Sequence, residues 1–133
     1  MNVFGPISRI IAANVSANAL MGGRVYPGIT KQGAVYPKAA VNIRGVGPSN
    51  TKGAPSDLDI VRVQVDVYGE TLTATDQAAM AIRAALDYFA GTVNLTGGGT
   101  ITVKHIQFER EITGFSETPE IFRVIQEYTY VAA

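Results

Sequence analysis

Between Ile60 and Tyr68 the chain alternates with a period of two: Val61, Val63, Val65 and Val67 point one way, and Arg62, Gln64, Asp66 and Tyr68 the other. This is the signature of a strand with one face on a core. Gly69 ends the alternation, and within a few residues a helical repeat takes over, with Ala78, Ile82, Ala85 and Phe89 on one stripe and Thr73 with Asp76 as a short capping box. Upstream, Val3, Phe4, Ile7, Ile10, Ile11, Val15 and Leu20 trace a broad apolar stripe. It predicts one first helix, with Pro6 in its opening turn and Gly22 and Gly23 at its end. Arg24, Val25 and Tyr26 then begin a strand that Pro27 and Gly28 turn away.

Residues 39–46 predict the next strand, with Val41 and Ile43 on one face, Asn42 and Arg44 on the other, and Lys38 at its edge. Residues 45–57 read GVGPSNTKGAPSD, in which Gly, Pro, Ser and Asn leave no apolar periodicity. We expect a mobile loop at 47–57, either plain or an arm that orders against a neighbouring subunit. After the second helix, TGGGT at 96–100 predicts a turn between Val93 and Leu95 on one side and Ile101 and Val103 on the other. A phosphate cradle would need a helix after those glycines, and strand-like sequence follows instead. The last two strands are expected at 101–112 and 120–131, joined by a turn at 114–119 and paired as a long hairpin.

These elements predict an α+β fold: a mainly antiparallel sheet of four or five strands with two helices packed on one face. The last strand carries large groups on both sides, Phe122, Val124, Tyr128 and Tyr130 on one and Ile121, Ile125 and Val131 on the other. With helices on a single face, the other face keeps an apolar excess, which points to a subunit interface.

Length and composition narrow the picture. The 133 residues, 47% of them hydrophobic, suit one domain over 1–133. There is no cysteine, so disulfides and thiolate metal sites are excluded. Eleven basic and eleven acidic residues cancel, leaving no global charge to drive binding to nucleic acid or to an anionic membrane. No stretch is long enough to cross a bilayer, and no secretory signal is evident, so a soluble intracellular protein is expected.

Candidate chemistry is sparse. His105 is the only histidine, and no GxSxG elbow is present. Asp57, Asp59, Asp66 and Glu70 are expected to be solvated charges, and PSDLD at 55–59 supplies too few oxygen ligands for a calcium loop. No catalytic residue, metal site or cofactor is expected. Arg24, Lys31, Lys38, Arg44 and Lys52 concentrate positive charge in the first half, near Tyr26 and Tyr36, but no RNA- or DNA-reading motif accompanies them.

The segments VQVDVYG and AIRAAL, joined by a short Thr-bearing turn, resemble the tail-completion or tail-terminator proteins of long-tailed bacteriophages. ALMGGRVYPG at 19–28, AAVNIRGVG at 39–47 and IFRVIQEYTYV at 121–131 follow the same order of helix, strands and closing strand. The resemblance implies a structural virion protein of the tail or neck, assembled in the host cytoplasm. It implies a ring, usually of six copies, that caps the tail tube, ends its polymerisation and presents a docking surface for the head. The implied partners are further copies of the chain, the tail tube protein, a head-completion or connector protein, and DNA in passage through a weakly interacting channel. A chain that stays monomeric until it meets a partner is compatible with this reading.

Candidate contact residues are Arg44, Pro48, Ser49, Asn50 and Lys52 around the loop, Arg62 and Asp66 on the alternating strand, and Gly97, Gly98 and Gly99 in the later turn. Two alternatives remain open at this level: another neck or tail-tube component, and a small enzyme or ligand-binding domain.

Overall fold

In the computed structural model the alternating valines form the centre of the core. It describes residues 5–28, 30, 33, 35–48, 58–95, 98–117 and 120–133. Strand β3 (Asp59–Gly69) buries Val61, Val63, Val65 and Val67 completely. On its two sides lie β2 (Lys38–Pro48) and β6 (Glu120–Ala132), both antiparallel to it. β5 (Thr100–Glu117) pairs with β6, and β4 (Gly91–Asn94) and β1 (Val25–Pro27) are short strands at the two outer positions. The sheet order is β1-β2-β3-β6-β5-β4, and only β1 runs parallel to its neighbour.

The helices cover the central apolar groups on one sheet face. α3 (Leu72–Leu86) lies over β3, β6 and β5, and presents Ala78, Ala79, Ile82, Ala85 and Leu86 to them. The small alanines let the helix sit close to the sheet, while Ile82 and Leu86 each contribute about 1.5–3 kcal/mol of burial. α1 (Gly5–Ala13) adds Ile7, Ile10 and Ile11, and α2 (Val15–Met21) adds Ala17 and Met21.

Several expectations are corrected. Among the described residues, three helices and six strands replace two helices and four or five strands, within the same mixed architecture. The single apolar stripe of the first helix is two helices, because Asn14 leaves the helical region (φ −83°, ψ 120°) and its side chain accepts a hydrogen bond from Ala17 N at 3.0 Å. That is an N-cap, and it restarts the helix in a new direction with Val15 exposed. α2 ends as expected at Gly22, whose positive φ of 55° lets its N–H reach Asn18 O at 2.7 Å. The cap of α3 is Thr71, not Thr73, accepting from Ala74 N at 3.2 Å. Gly69 is the reason for the early start: a Cβ there would collide with Thr75 Oγ1, so only glycine lets the strand turn this closely under the helix.

Ahead of the turn expected at 96–100 lies a strand not expected there, β4, which buries Val93 against Ile101; four residues are too few for alternation to show. The closing hairpin is longer than expected, since β5 runs through Gly114 and pairs with β6 as far as Glu117 and Glu120. Gly47 and Pro48, expected in the loop, end β2 opposite Ile60 and Asp59. The remainder of that loop lies outside the described residues.

Candidate functional site

The sheet face turned away from the helices carries the charged groups, because the alternation that buries the valines sends every intervening side chain there. Across β3 and β6 the paired positions are Ile60 with Val131, Arg62 with Thr129, Gln64 with Glu127, Asp66 with Ile125 and Tyr68 with Arg123. β5 adds His105, Gln107, Arg110 and Ile112 in the same rows. Ile121, Ile125 and Val131 are each half-buried, so the expected apolar excess is present but is interleaved with charge.

Two clusters stand out. In the first, Asp66 is only 4% exposed; Arg123 Nη2 donates to Asp66 Oδ2 at 2.9 Å, and Gln64 Nε2 to Asp66 Oδ1 at 2.8 Å. The Arg123 guanidinium also lies 5.8 Å from the centre of the Tyr68 ring. Burial, followed by the Asp66 charge, pushes the Tyr68 hydroxyl pKa up. The expectation of a solvated Asp66 is therefore corrected: its neighbours occupy it within the chain, and it holds β3 to β6.

In the second cluster, Arg110 on β5 pairs with Glu127 on β6. Its hydrogen bond holds the Glu127 carboxyl below the usual glutamate range, with the Arg110 and Arg44 charges adding to the effect. Arg44, Arg62, Glu109, Glu127 and Thr129 line a groove of about 360 Å³ here. A second groove of about 310 Å³ adjoins it, bordered by Arg44, Arg62, Ile60 and the Gly45-Val46-Gly47 segment. Two of the expected contact residues, Arg44 and Arg62, thus share both grooves although they sit on different strands. A bulge between Ile43 and Gly45 creates this placement by shifting the β2 register against β3.

The remaining candidates do not join them. Pro48 ends β2, and Ser49, Asn50, Lys52 and Gly97 lie outside the described residues. Gly98 and Gly99, with φ of 100° and 84°, form the turn into β5, closed by Leu95 N to Gly99 O at 3.0 Å and Gly98 N to Leu95 O at 3.2 Å. That turn is at the far side of the sheet, beyond β4.

Three polar residues that sequence reasoning missed are Arg123, Arg110 and Gln126. Gln126 is fully buried under α3, donating to Ala79 O at 2.8 Å and Glu111 Oε1 at 3.0 Å and accepting from the Tyr128 hydroxyl at 2.7 Å. A polar residue at an inward position of β6, between Val124 and Tyr128, was the available signal. Among the described residues no group of three or more His, Asp or Glu side chains converges as a metal site would require. No helix among them is long and apolar enough to cross a membrane. What the arrangement offers chemically is charge-patterned recognition: a mixed-charge sheet face with two grooves.

Comparison with known proteins identifies the family and the fold. The family model described as tail completion protein gp17 matches residues 6–131. A chain in the virion of a native gene transfer agent particle shares the fold at a TM-score of 0.69 and 17% identity, over 96% of this chain and 91% of its own length. A second solved chain shares it at a TM-score of 0.53 and 17% identity, over 96% and 94%. No curated protein matches in sequence.

Proposed function

The chain belongs to the tail completion protein gp17 family, and from that premise we propose that it caps the phage tail tube as an oligomeric ring, ends tube polymerisation and forms the docking surface for the head. As a member of this family it is a structural protein of the virion tail or neck. The observation that carries the proposal is the extent of the family match, which runs from the first described helix to the last strand.

The mechanism is geometric. Head-to-tail contact of one copy on the next closes into a ring when the rotation fits, and leaves two unlike faces for two unlike partners. One face would meet the tube end and the other a head-completion or connector protein. Six copies is the expected number. The mixed-charge sheet face, with Arg44, Arg62 and Arg110 set among Glu109 and Glu127, suits a surface that DNA passes without adhering, since phosphate affinity rises with every uncompensated cation. The proposed contact residues are Arg44 and Arg62, together with Pro48, Ser49, Asn50, Lys52 and the Gly97-Gly98-Gly99 turn.

Negative-stain electron microscopy of the purified protein, alone and with tail tubes of its phage, tests this. Closed rings or density capping one tube end are expected. Long cylinders formed by the protein alone would mark it as a tube component, and particles that neither close nor cap would overturn the assembly role.

A further inference from the structure

The sheet ends in two incompletely covered strands, and they are offset in a way that fits one to the other. On one side, β1 covers β2 only at Ala39, Ala40 and Val41, so among the described residues 42–48 have no partner strand on that edge. On the other side, β4 covers β5 only from Thr100 to Val103. The segment after α3 covers the next stretch: Ile106 accepts from Tyr88 N at 2.9 Å and donates to Phe89 O at 3.1 Å, and Phe108 N donates to Asp87 Oδ1 at 3.1 Å. Beyond that point the edge of β5 away from β6 has no partner strand among the described residues.

The direction of the free peptide groups follows from the register. Ile106 and Phe108 point their N–H groups away from β6, and they face Tyr130 and Tyr128. Glu111, Thr113 and Phe115 face Gln126, Val124 and Phe122, the same row of β6 positions, so their N–H and C=O groups also point outward. On β2, Ala39 donates to Arg24 O and Val41 accepts from Gly28 N, both outward. Ile43 and, after the bulge, Val46 continue that row opposite Val63 and Val61.

Building on the ring reading above, we propose that neighbouring copies join edge to edge, residues 111–115 of β5 pairing antiparallel with residues 43–46 of β2 in the next copy. Strand direction permits it: β2, β3, β6 and β5 alternate, so a neighbour related by rotation about an axis along the strands offers β2 antiparallel to β5. The short strands permit it too. β1 lies beside one end of β2 and β4 beside the opposite end of β5, so each stub falls past the end of the strand it would otherwise block.

The side chains at the two edges match. Phe115 (53% exposed) and Val46 (50% exposed) both belong to the helix-side row, and each gains a cover. Exposed Arg44 on one edge meets exposed Glu109 on the other, on the sheet face away from the helices.

The offset also has a consequence for shape. The centres of the two open segments lie opposite Thr129 and Val124 of β6, about five residues or ~17 Å apart along the strands. Four strands are ~19 Å wide. Bringing successive copies level therefore tilts the strands by about 40° to the ring axis, the tilt that closed β-barrels adopt. The ring is a continuous barrel with the helices outside and the Arg44–Arg62–Glu127 face toward the channel.

Two measurements test the pairing. Because the chain has no cysteine, Val46→Cys combined in turn with Glu111→Cys, Thr113→Cys or Phe115→Cys gives a clean background for oxidation of assembled rings. One of the three pairs is expected to give a ladder of covalent multimers, while each single variant gives none. Thr113→Pro removes an outward donor without touching the β6 ladder, so it should keep the circular dichroism of the wild type and cap about tenfold fewer tube ends. Normal capping by Thr113→Pro, with no ladder from any pair although wild-type rings form, overturns the edge pairing and leaves the tail-completion reading standing. Wild-type protein that neither closes nor caps overturns that reading, and the pairing with it.

Discussion

Gln126 offers a prediction whose sign depends on what is left behind. Its amide lies fully buried between α3 and the sheet, and its Oε1 is the acceptor for the Tyr128 hydroxyl. Tyr128 is itself 1% exposed, so water cannot replace that acceptor. Gln126→Leu keeps most of the volume but leaves the hydroxyl with no acceptor. An unsatisfied buried polar group costs about 1–3 kcal/mol, and the lost bonds to Ala79 O and Glu111 add roughly 1 kcal/mol more, partly offset by the apolar gain of leucine. The expected loss is about 2–3 kcal/mol. Tyr128→Phe alone should cost about 1 kcal/mol, since Gln126 still bonds Ala79 and Glu111. In the double variant the stranded hydroxyl is gone, so adding Tyr128→Phe to Gln126→Leu should be neutral or stabilising. Urea unfolding of the four proteins, at a concentration where the protein is monomeric, gives the cycle. If Tyr128→Phe costs the same in both backgrounds, the two groups are not coupled and the reasoning fails.

Asp66→Ala should destabilise by about 2–3 kcal/mol, because Gln64 and Arg123 both lose their charged acceptor, although Arg123 is exposed enough to rehydrate in part. A thermal melt within a degree or two of wild type would contradict it. Gly69→Ala should cost about 1–3 kcal/mol through the clash with Thr75 Oγ1, and Thr75→Ala in the same chain should return part of that; equal melting points for the two variants would count against the close approach. For Glu127, the folded carboxyl titrates below its ordinary value of 4.5, so the pair with Arg110 stabilises above that pH and its contribution is lost as pH falls through the depressed value. In Arg110→Ala, carboxylate NMR should show Glu127 titrating higher; an unmoved midpoint would refute the assignment. Burial pushes the Tyr128 and Tyr130 hydroxyls above their ordinary value of 10.0. Their contribution is complete below that pH and is lost above it as the unfolded chain ionises first, so alkaline unfolding should be shallower in Tyr130→Phe.

The sequence by itself determined the local elements whose periodicity is long enough to read. The valine alternation, its end at Gly69, the helical stripe through Ala78, Ile82 and Ala85, and the closing hairpin are all legible, because side-chain direction in a strand or helix depends on nearest neighbours along the chain. The split at Asn14 was legible only in retrospect, since the apolar stripe crosses it unbroken. Tertiary structure alone decided what those elements face. Placing β6 between β3 and β5 carries Arg123 to Asp66, 57 residues away in sequence, and turns an apparently solvated carboxylate into a buried ion pair. The same placement sets Arg110 on Glu127, and the β2 bulge brings Arg44 to Arg62. The edges of β2 and β5 that lack a partner strand among the described residues also have no sequence mark, because an unpaired peptide group is defined by the absence of a neighbouring strand. Only the order of strands in the finished sheet determines where those absences fall.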